Sequence, residues 1–383
     1  MRICIDARMM GAGKTRGIGR VVEELVRAML AIAPEHQYVL LELDPATSPF
    51  AHHPSVEHIK LPVSWYGLAE QFALPKAIQS AHADLFFAPH WNVPIVCPIP
   101  FVVFIHDLIL REEPISANSS RRGPVFRLIK RIGYRITVHR ALFASRAILV
   151  PTHHVADRIR HYYPSLKTKI IVAGEGMPDV DPSSWRDASS STYHLPPTTY
   201  FLYVGSAYPH KNLDGLLDAW KIVEKAHPNL HLQLIGEKDF FMNRTEERAQ
   251  SMGLKNVEFA GRVSDEELRD RYARGLALIF PSRWEGFGLP PLEAIAAGIP
   301  VLSSNTACMP EVLGKQGVIY FNPCSADDIV HAVETFLQDP NALRQQARQA
   351  SSELRKRHDW NLAAKKVLEA FEDALNPETD TKE

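Results

Sequence analysis

Phe280-Pro281-Ser282-Arg283-Trp284-Glu285-Gly286-Phe287-Gly288-Leu289-Pro290-Pro291-Leu292-Glu293-Ala294 reads as the end of a strand, a glycine-rich turn and the start of a helix. The residues before it, Ala277–Phe280, are apolar throughout, as a strand covered on both sheet faces is. Pro290 or Pro291 suits a first helical turn, where the missing N–H costs nothing. Glu293 falls in that turn and Glu285 in the loop before it. The helix dipole favours a carboxylate at Glu293, so a plain capping role is open to it. Capping does not account for Glu285, which lies beside a Gly-Phe-Gly run where backbone can approach a ligand closely. Two carboxylates at a strand's carboxyl end, near helix N–H groups, suit a ligand with both hydroxyls and phosphates.

The same unit recurs outward in both directions. The predicted strands of the second half are Tyr200–Val204, His231–Ile235, Val257–Phe259, Ala277–Phe280, Pro300–Ser303 and Val318–Phe321. Those of the first half are Ile3–Ala7, Tyr38–Leu43, Leu85–Ala88, Phe101–Ile105, Ala147–Pro151 and Lys169–Val172. Helical patterns lie between them. In Gly17–Ile32 the residues Val21, Val22, Leu25, Val26 and Met29 form one stripe, and Ser264 with Glu267 forms a capping box. Strand–helix alternation implies parallel sheets with right-handed crossovers. Gly174–Pro197, rich in serine and proline and lacking apolar periodicity, reads as a linker. The expected fold is therefore α/β: two doubly wound, Rossmann-like domains facing across a cleft. The first takes 1–176, the linker 177–198 and the second 199–359. A last helix, 360–376, has no strand after it and is expected to cross back to the first domain.

Composition agrees. The chain has 383 residues, 45% of them hydrophobic and 23% charged, which fits a folded chain too long for one ordinary core. A net charge of -1 excludes a globally basic nucleic-acid binder, so no nucleic-acid partner is expected. Cys4, Cys97, Cys308 and Cys324 have no paired spacing and read as reduced structural thiols. Met1–Asp6 reaches a charge too early for a signal peptide. The apolar run Val93–Ile105 is too short and too proline-broken to span a bilayer. A cytoplasmic location is expected.

Two motifs mislead. Gly11-Ala12-Gly13-Lys14-Thr15 resembles the end of a P-loop, but Arg8 stands where that motif needs its first glycine. Asp179-Val180-Asp181 has the spacing of a metal-holding aspartate pair, yet it lies in the linker and reads as solvated charge. No cluster has convincing ligand spacing, so no metal is expected. No Gly-x-Gly-x-x-Gly follows a predicted strand, which argues against a nicotinamide enzyme of the same architecture.

The carboxylate pair resembles the Glu-seven-residues-Glu motif of retaining GT-B glycosyltransferases, most closely glycosyltransferase family 4. Tyr203-Val204-Gly205-Ser206 with Pro209-His210-Lys211-Asn212 is similar to that family's donor phosphate loop. Gly261–Leu268 is similar to its base-contacting loop, Gly17-Ile18-Gly19-Arg20 to its opening glycine loop, and His106-Asp107-Leu108 to its His-Asp element. The resemblance runs through nearly the whole chain, including the Trp360 helix. It implies that Glu293 accepts the ribose hydroxyls and that Glu285, with the amides of Gly286, Phe287 and Gly288 and the following Leu289, holds the donated sugar. It implies that Lys211 neutralises the pyrophosphate, aided by Arg262 and reached by the Gly17 loop, with Gly205, Ser206 and Val263 also binding the donor. His106 would sit near the sugar's 6-position. His106, Glu285 and Lys211 are thus the expected catalytic residues. One departure stands out: many members carry arginine where this chain has Ser206, and a second basic residue where it has His210. Pyrophosphate binding then leans on Lys211.

The resemblance implies a retaining, metal-independent hexosyltransferase needing no cofactor beyond its nucleotide-sugar co-substrate. GDP-mannose is the favoured donor, as in bacterial mannosyltransferases of polysaccharide and lipopolysaccharide assembly. A UDP, dTDP or ADP sugar and a catalytically silent GT-B subunit are the alternatives. The implied acceptor is a lipid-linked saccharide or an oligosaccharide. Between Glu113 and Asp157 there is no acidic residue, while Arg121, Arg122, Arg127, Lys130, Arg131, Arg135, Arg140 and Arg146 interleave with Phe126, Leu128, Ile129, Ile132, Tyr134, Ile136 and Leu142. A basic amphipathic helix of this kind fits an anionic membrane surface on the cytoplasmic face, with a solvated helix face as the alternative.

Overall fold

The computed structural model describes residues 1–10, 16–113, 124–177 and 199–376. Asp179-Val180-Asp181, most of the linker, Gly11–Thr15, Arg121 and Arg122 therefore lie outside the described residues, as do the side chains of Phe126, Arg127, Ile129 and Lys130. The chain divides into two compact units. One comprises Met1–Leu108, Ser120–Gly176 and His358–Glu383, the other Ile109–Ser119 and Met177–Arg357.

The first unit holds a seven-stranded parallel sheet of order β3-β2-β1-β4-β5-β6-β7. Its strands are β1 (Arg2–Asp6), β2 (Gln37–Glu42), β3 (Val56–Lys60), β4 (Leu85–Ala88), β5 (Phe101–Phe104), β6 (Ala147–Val150) and β7 (Lys169–Val172). The second holds a six-stranded parallel sheet of order β10-β9-β8-β11-β12-β13. There the strands are β8 (Tyr200–Val204), β9 (His231–Ile235), β10 (Val257–Gly261), β11 (Leu278–Phe280), β12 (Val301–Ser304) and β13 (Val318–Phe321). Chain order reverses between β1 and β4 in one sheet and between β8 and β11 in the other. Such a reversal splays the flanking loops and opens a ligand crevice at the strands' carboxyl ends.

Central strands β4, β5, β6 and β11 are buried along their whole length, which is why they read as unbroken apolar runs. The sequence reading missed β3. Its Val-Glu-His-Ile-Lys alternation belongs to an edge strand with one open face, and its His58 Nδ1 meets Glu42 Oε2 at 2.5 Å. The expected stripe Val21, Val22, Leu25, Val26 and Met29 is buried on helix Arg16–Ile32.

The last helix, Trp360–Leu375, packs within the first unit against helix Arg16–Ile32, β5 and β6. Its stripe Ala363, Ala364, Val367, Ala370 and Phe371 is buried, with Phe371 5.2 Å from the Phe87 ring. Lys366 Nζ donates to the carbonyl of Val172 at 3.0 Å, and Lys169 pairs with Asp373 at 3.0 Å. The Trp360 ring lies where a Cβ on Gly176 would be, so only glycine fits at the chain's exit from this unit. Among the described residues, 109–113 lie with the second unit, where the Arg283 guanidinium is 3.7 Å from the Glu113 carboxylate.

Candidate functional site

In the second unit the expected residues gather at the reversal between β8 and β11. β8 is followed by Gly205, whose N–H donates to the Ile235 carbonyl at 2.9 Å. A Cβ on Gly236 would fall 2.0 Å from the Gly205 carbonyl, so the chain after β9 must carry glycine for the two backbones to touch. The Tyr203 hydroxyl donates to the Ser206 carbonyl at 2.6 Å and fixes the loop from below. Burial, and then the charge of Glu285, push that phenol well above its ordinary value of 10, so it stays a donor.

Lys211 ends a short turn, Pro209–Lys211, and its Nζ donates to Glu285 Oε1 at 2.6 Å. The pair is largely but not fully enclosed, with the ammonium 5.6 Å above the Phe280 ring. Arg283 ties the two loops together, its N–H donating to the His210 carbonyl at 2.8 Å and its guanidinium to the Pro209 carbonyl at 3.2 Å. His210 is buried, and burial with the neighbouring Lys211 charge pushes its pKa down to about 4. At neutral pH it is therefore uncharged. Where a second basic residue was noted as common, this chain supplies no second cation, and Lys211 carries the positive charge of this turn.

After β11 the chain bends through Glu285–Gly288 into helix Leu289–Ala296. Gly288 caps that helix at φ 95°, a left-handed conformation that favours glycine, and a Cβ there would lie 2.6 Å from Met309 Cε. Cys308 Sγ donates to the carbonyls of Glu285 and Phe287, each at 3.4 Å, and so pins the turn. Phe287 is buried. Glu293 lies one turn into the helix, its Oε2 accepting from the Tyr272 hydroxyl at 3.1 Å. Val263 is buried and Arg262 exposed beside it, ahead of Ser264, which caps helix Asp265–Arg274 by accepting from the Glu267 N–H. The structure thus pairs Lys211 with Glu285, holds Ser206 beside Gly205 through the Tyr203 hydroxyl, and sets Glu293 in the helix that follows Glu285.

Tyr272, Cys308 and the role of the Tyr203 hydroxyl were not foreseen. Each serves the site through a hydroxyl or thiol aimed at a loop carbonyl or carboxylate, a role that leaves no spacing pattern in a sequence.

In the first unit His106 is buried, with Nδ1 2.9 Å from Glu175 Oε1 and Nε2 2.8 Å from the Pro89 carbonyl. Both partners can accept, so the arrangement favours the doubly protonated ring, which stacks 4.5 Å from Phe104. Burial opposes this charge, but the Glu175 hydrogen bond and charge outweigh it and raise the pKa above 6.5. Glu175 was also unforeseen. Gly17 lies in the first turn of helix Arg16–Ile32 with open space around its Cα. Among the described residues, no group of three or more His, Cys, Asp or Glu side chains is placed to hold a metal ion.

Comparison with known proteins agrees with the architecture. The Glycosyltransferase Family 4 model matches residues 15–178, and the Glycosyl transferases group 1 model matches residues 191–354. The chain is 27% identical over 286 residues to the O-antigen chain mannosyltransferase RfbU of Salmonella typhimurium, covering 74% of this chain and 73% of that protein. It is 27% identical over 431 residues to the serotype-specific mannosyltransferase WbdA of Escherichia coli. That match takes in 100% of this chain and 49% of WbdA, so the chain spans about half of that relative's length. Among solved structures, WaaG, a glycosyltransferase involved in lipopolysaccharide biosynthesis, superposes with a TM-score of 0.72 at 18% identity, covering 96% of this chain and 98% of WaaG. At that identity the likeness shows a shared fold.

Proposed function

This chain is a GT-B glycosyltransferase with a family 4 domain followed by a group 1 domain, and from that premise we propose that it transfers mannose from GDP-mannose to a lipid-linked or oligosaccharide acceptor. The observation that carries the proposal is the 2.6 Å contact of Lys211 with Glu285 at the β8/β11 reversal. It puts a fixed cation beside a carboxylate that accepts hydroxyls, at the mouth of a glycine-capped helix. A nucleotide sugar has that polarity: hydroxyls at both ends and a diphosphate between. In this reading the sugar hydroxyls take over Glu285, which frees the Lys211 ammonium for the diphosphate, and Glu293 takes the ribose. As the bond from C1 to the phosphate oxygen breaks, negative charge grows on the diphosphate and Lys211 stabilises it. The acceptor oxygen bonds to C1 from the face the phosphate leaves, and a phosphate oxygen takes its proton, so configuration is retained. Lys211 fills the place a metal ion would take. The mannose choice is supported by the similarity to the mannosyltransferases RfbU and WbdA.

The test is transfer from a panel of GDP, UDP, dTDP and ADP sugars in the presence of a chelator, with the anomeric configuration of the product read by NMR. GDP-mannose as best donor, with a retained product, supports the proposal. Preference for another nucleotide, an inverted product or a requirement for added divalent ion overturns the corresponding part.

We also propose that helix Pro124–Ala144 rests reversibly on anionic lipid. Leu128, Ile132 and Ile136 are exposed at successive turns, with Arg131 and Arg135 exposed beside them. Leu142 and Val138 point into the core. No described helix is long and apolar enough to cross a membrane. Each basic residue at such a surface contributes about 1 kcal/mol. Co-sedimentation with anionic but not neutral liposomes, weakened by Arg131→Ala with Arg135→Ala, is expected. Equal binding to both liposome types, or to neither, contradicts the idea.

A further inference from the structure

The first unit carries a second built site at its own reversal, between β1 and β4. Beneath it Arg8 is almost wholly buried, its guanidinium bidentate to Asp6 at 2.7 and 2.6 Å and bonded to Glu70 Oε1 at 2.6 Å. Glu70 also accepts from Asn92 Nδ2 and from the Tyr66 N–H, both at 2.8 Å. One buried ionic knot therefore latches the loops that follow β1, β3 and β4. Such a knot adds little net stability, since desolvation offsets its attraction. What it does is fix a shape.

The shape is an aromatic platform. Tyr66 is held at φ 64°, a conformation a non-glycine residue adopts at a cost of about 1 kcal/mol. The Trp91 ring stacks on it at 5.2 Å and 28°, and His90 meets its edge at 6.1 Å. Tyr134 closes on Trp91 edge-on at 4.8 Å. Tyr66 is nonetheless 56% exposed, so the supported ring keeps an open surface. A strained backbone and a buried ionic knot here hold a large ring out to solvent, the reverse of what folding alone favours.

We infer that Tyr66, backed by Trp91 and His90, is the stacking platform for a pyranose ring of the saccharide acceptor. The inference rests on the reading of the chain as a glycosyltransferase with its donor site in the second unit. A pyranose offers a face of C–H groups rimmed by hydroxyls, and it needs a flat apolar surface with polar groups at the edge. Tyr66 supplies the surface. Its own hydroxyl stays protonated, raised above 10 by burial and by the charges of Glu70 and Asp107.

The test uses octyl glycosides of mannose, glucose, galactose and N-acetylglucosamine as soluble probes. Saturating the protein's aromatic protons should transfer magnetisation to axial C–H protons of one sugar face in the wild type. Tyr66→Gly removes the ring and at the same time relieves the left-handed backbone, so the fold survives. It should abolish that transfer and raise the acceptor KM about tenfold, with the nucleotide-sugar thermal shift unchanged. Tyr66→Phe should keep both. Transfer that persists in Tyr66→Gly, or that no glycoside shows in the wild type, overturns the inference. A thermal shift that persists in Glu293→Ala counts instead against the donor site, so the two failures are distinguishable.

Discussion

The two units carry the same device, a parallel sheet whose strand order reverses, and dress it differently. At the β8/β11 reversal the loops are glycine and charge: Gly205, Gly236 and Gly288 let backbones close in, and one lysine meets one glutamate. At the β1/β4 reversal the loops are aromatic, and the charges, Arg8, Asp6 and Glu70, are buried below as mutual partners. As proposed above, the first arrangement would meet a ligand of phosphates and hydroxyls with bare amides and a cation, and the second a ligand of carbon faces with rings. Topology fixes where a ligand goes, and loop chemistry fixes what it is.

The largest expected effect lies on the charged side. Lys211→Ala should lower kcat/KM by about 10²–10³-fold, the usual cost of losing one group aimed at developing charge. Steady-state transfer kinetics check it, and an effect below about tenfold would break the contrast between the two reversals. Next comes the glycine cap. Gly288→Ala forces a Cβ toward Met309 Cε in a left-handed conformation, and should destabilise the second unit by about 1–3 kcal/mol. Urea unfolding followed by near-UV dichroism reads the loss.

A smaller effect separates the two units by pH. His106 in the first unit has a raised pKa, so its contribution is full below about 6.5 and is lost as pH rises through the folded value. His210 in the second has a pKa lowered to about 4, so its contribution is present above about 6.5 and is lost as pH falls toward 4. Glu175→Gln should therefore destabilise more at pH 6 than at pH 9. NMR titration of the imidazole carbons should place His106 above 6.5 and His210 near 4, and matching values near 6.5 would refute the contrast.

Most of the donor-side residues were legible because glycines, a helix-opening proline pair and two carboxylates leave a linear signature around Phe280–Ala294. All six strands of the second sheet read directly: the central ones as apolar runs, and the edge strands Val257–Gly261 and Val318–Phe321 because they too are mostly apolar. The edge strand Val56–Lys60 did not, because half its side chains face solvent. The residues that complete the charged site were hidden too: Tyr272 reaches Glu293 from another helix, and Cys308 caps loop carbonyls from beyond the motif. Glu175 meets His106 across 69 positions of sequence. The platform at Tyr66 was invisible because Arg8, Glu70 and Asn92 converge only after folding. Arg8, at first informative only as the residue that spoils a P-loop motif, proves to be the buried centre of the other reversal.

The most direct test of the central claim, that the glycosyl donor binds at the β8/β11 reversal, is a thermal-shift titration of GDP-mannose with chelator present, on the wild type and on Glu293→Ala. At about 100 times its dissociation constant a ligand stabilises the fold by roughly 2.7 kcal/mol. The account predicts a clear rise in the wild-type transition and its loss in Glu293→Ala. An equal rise in both proteins would contradict it.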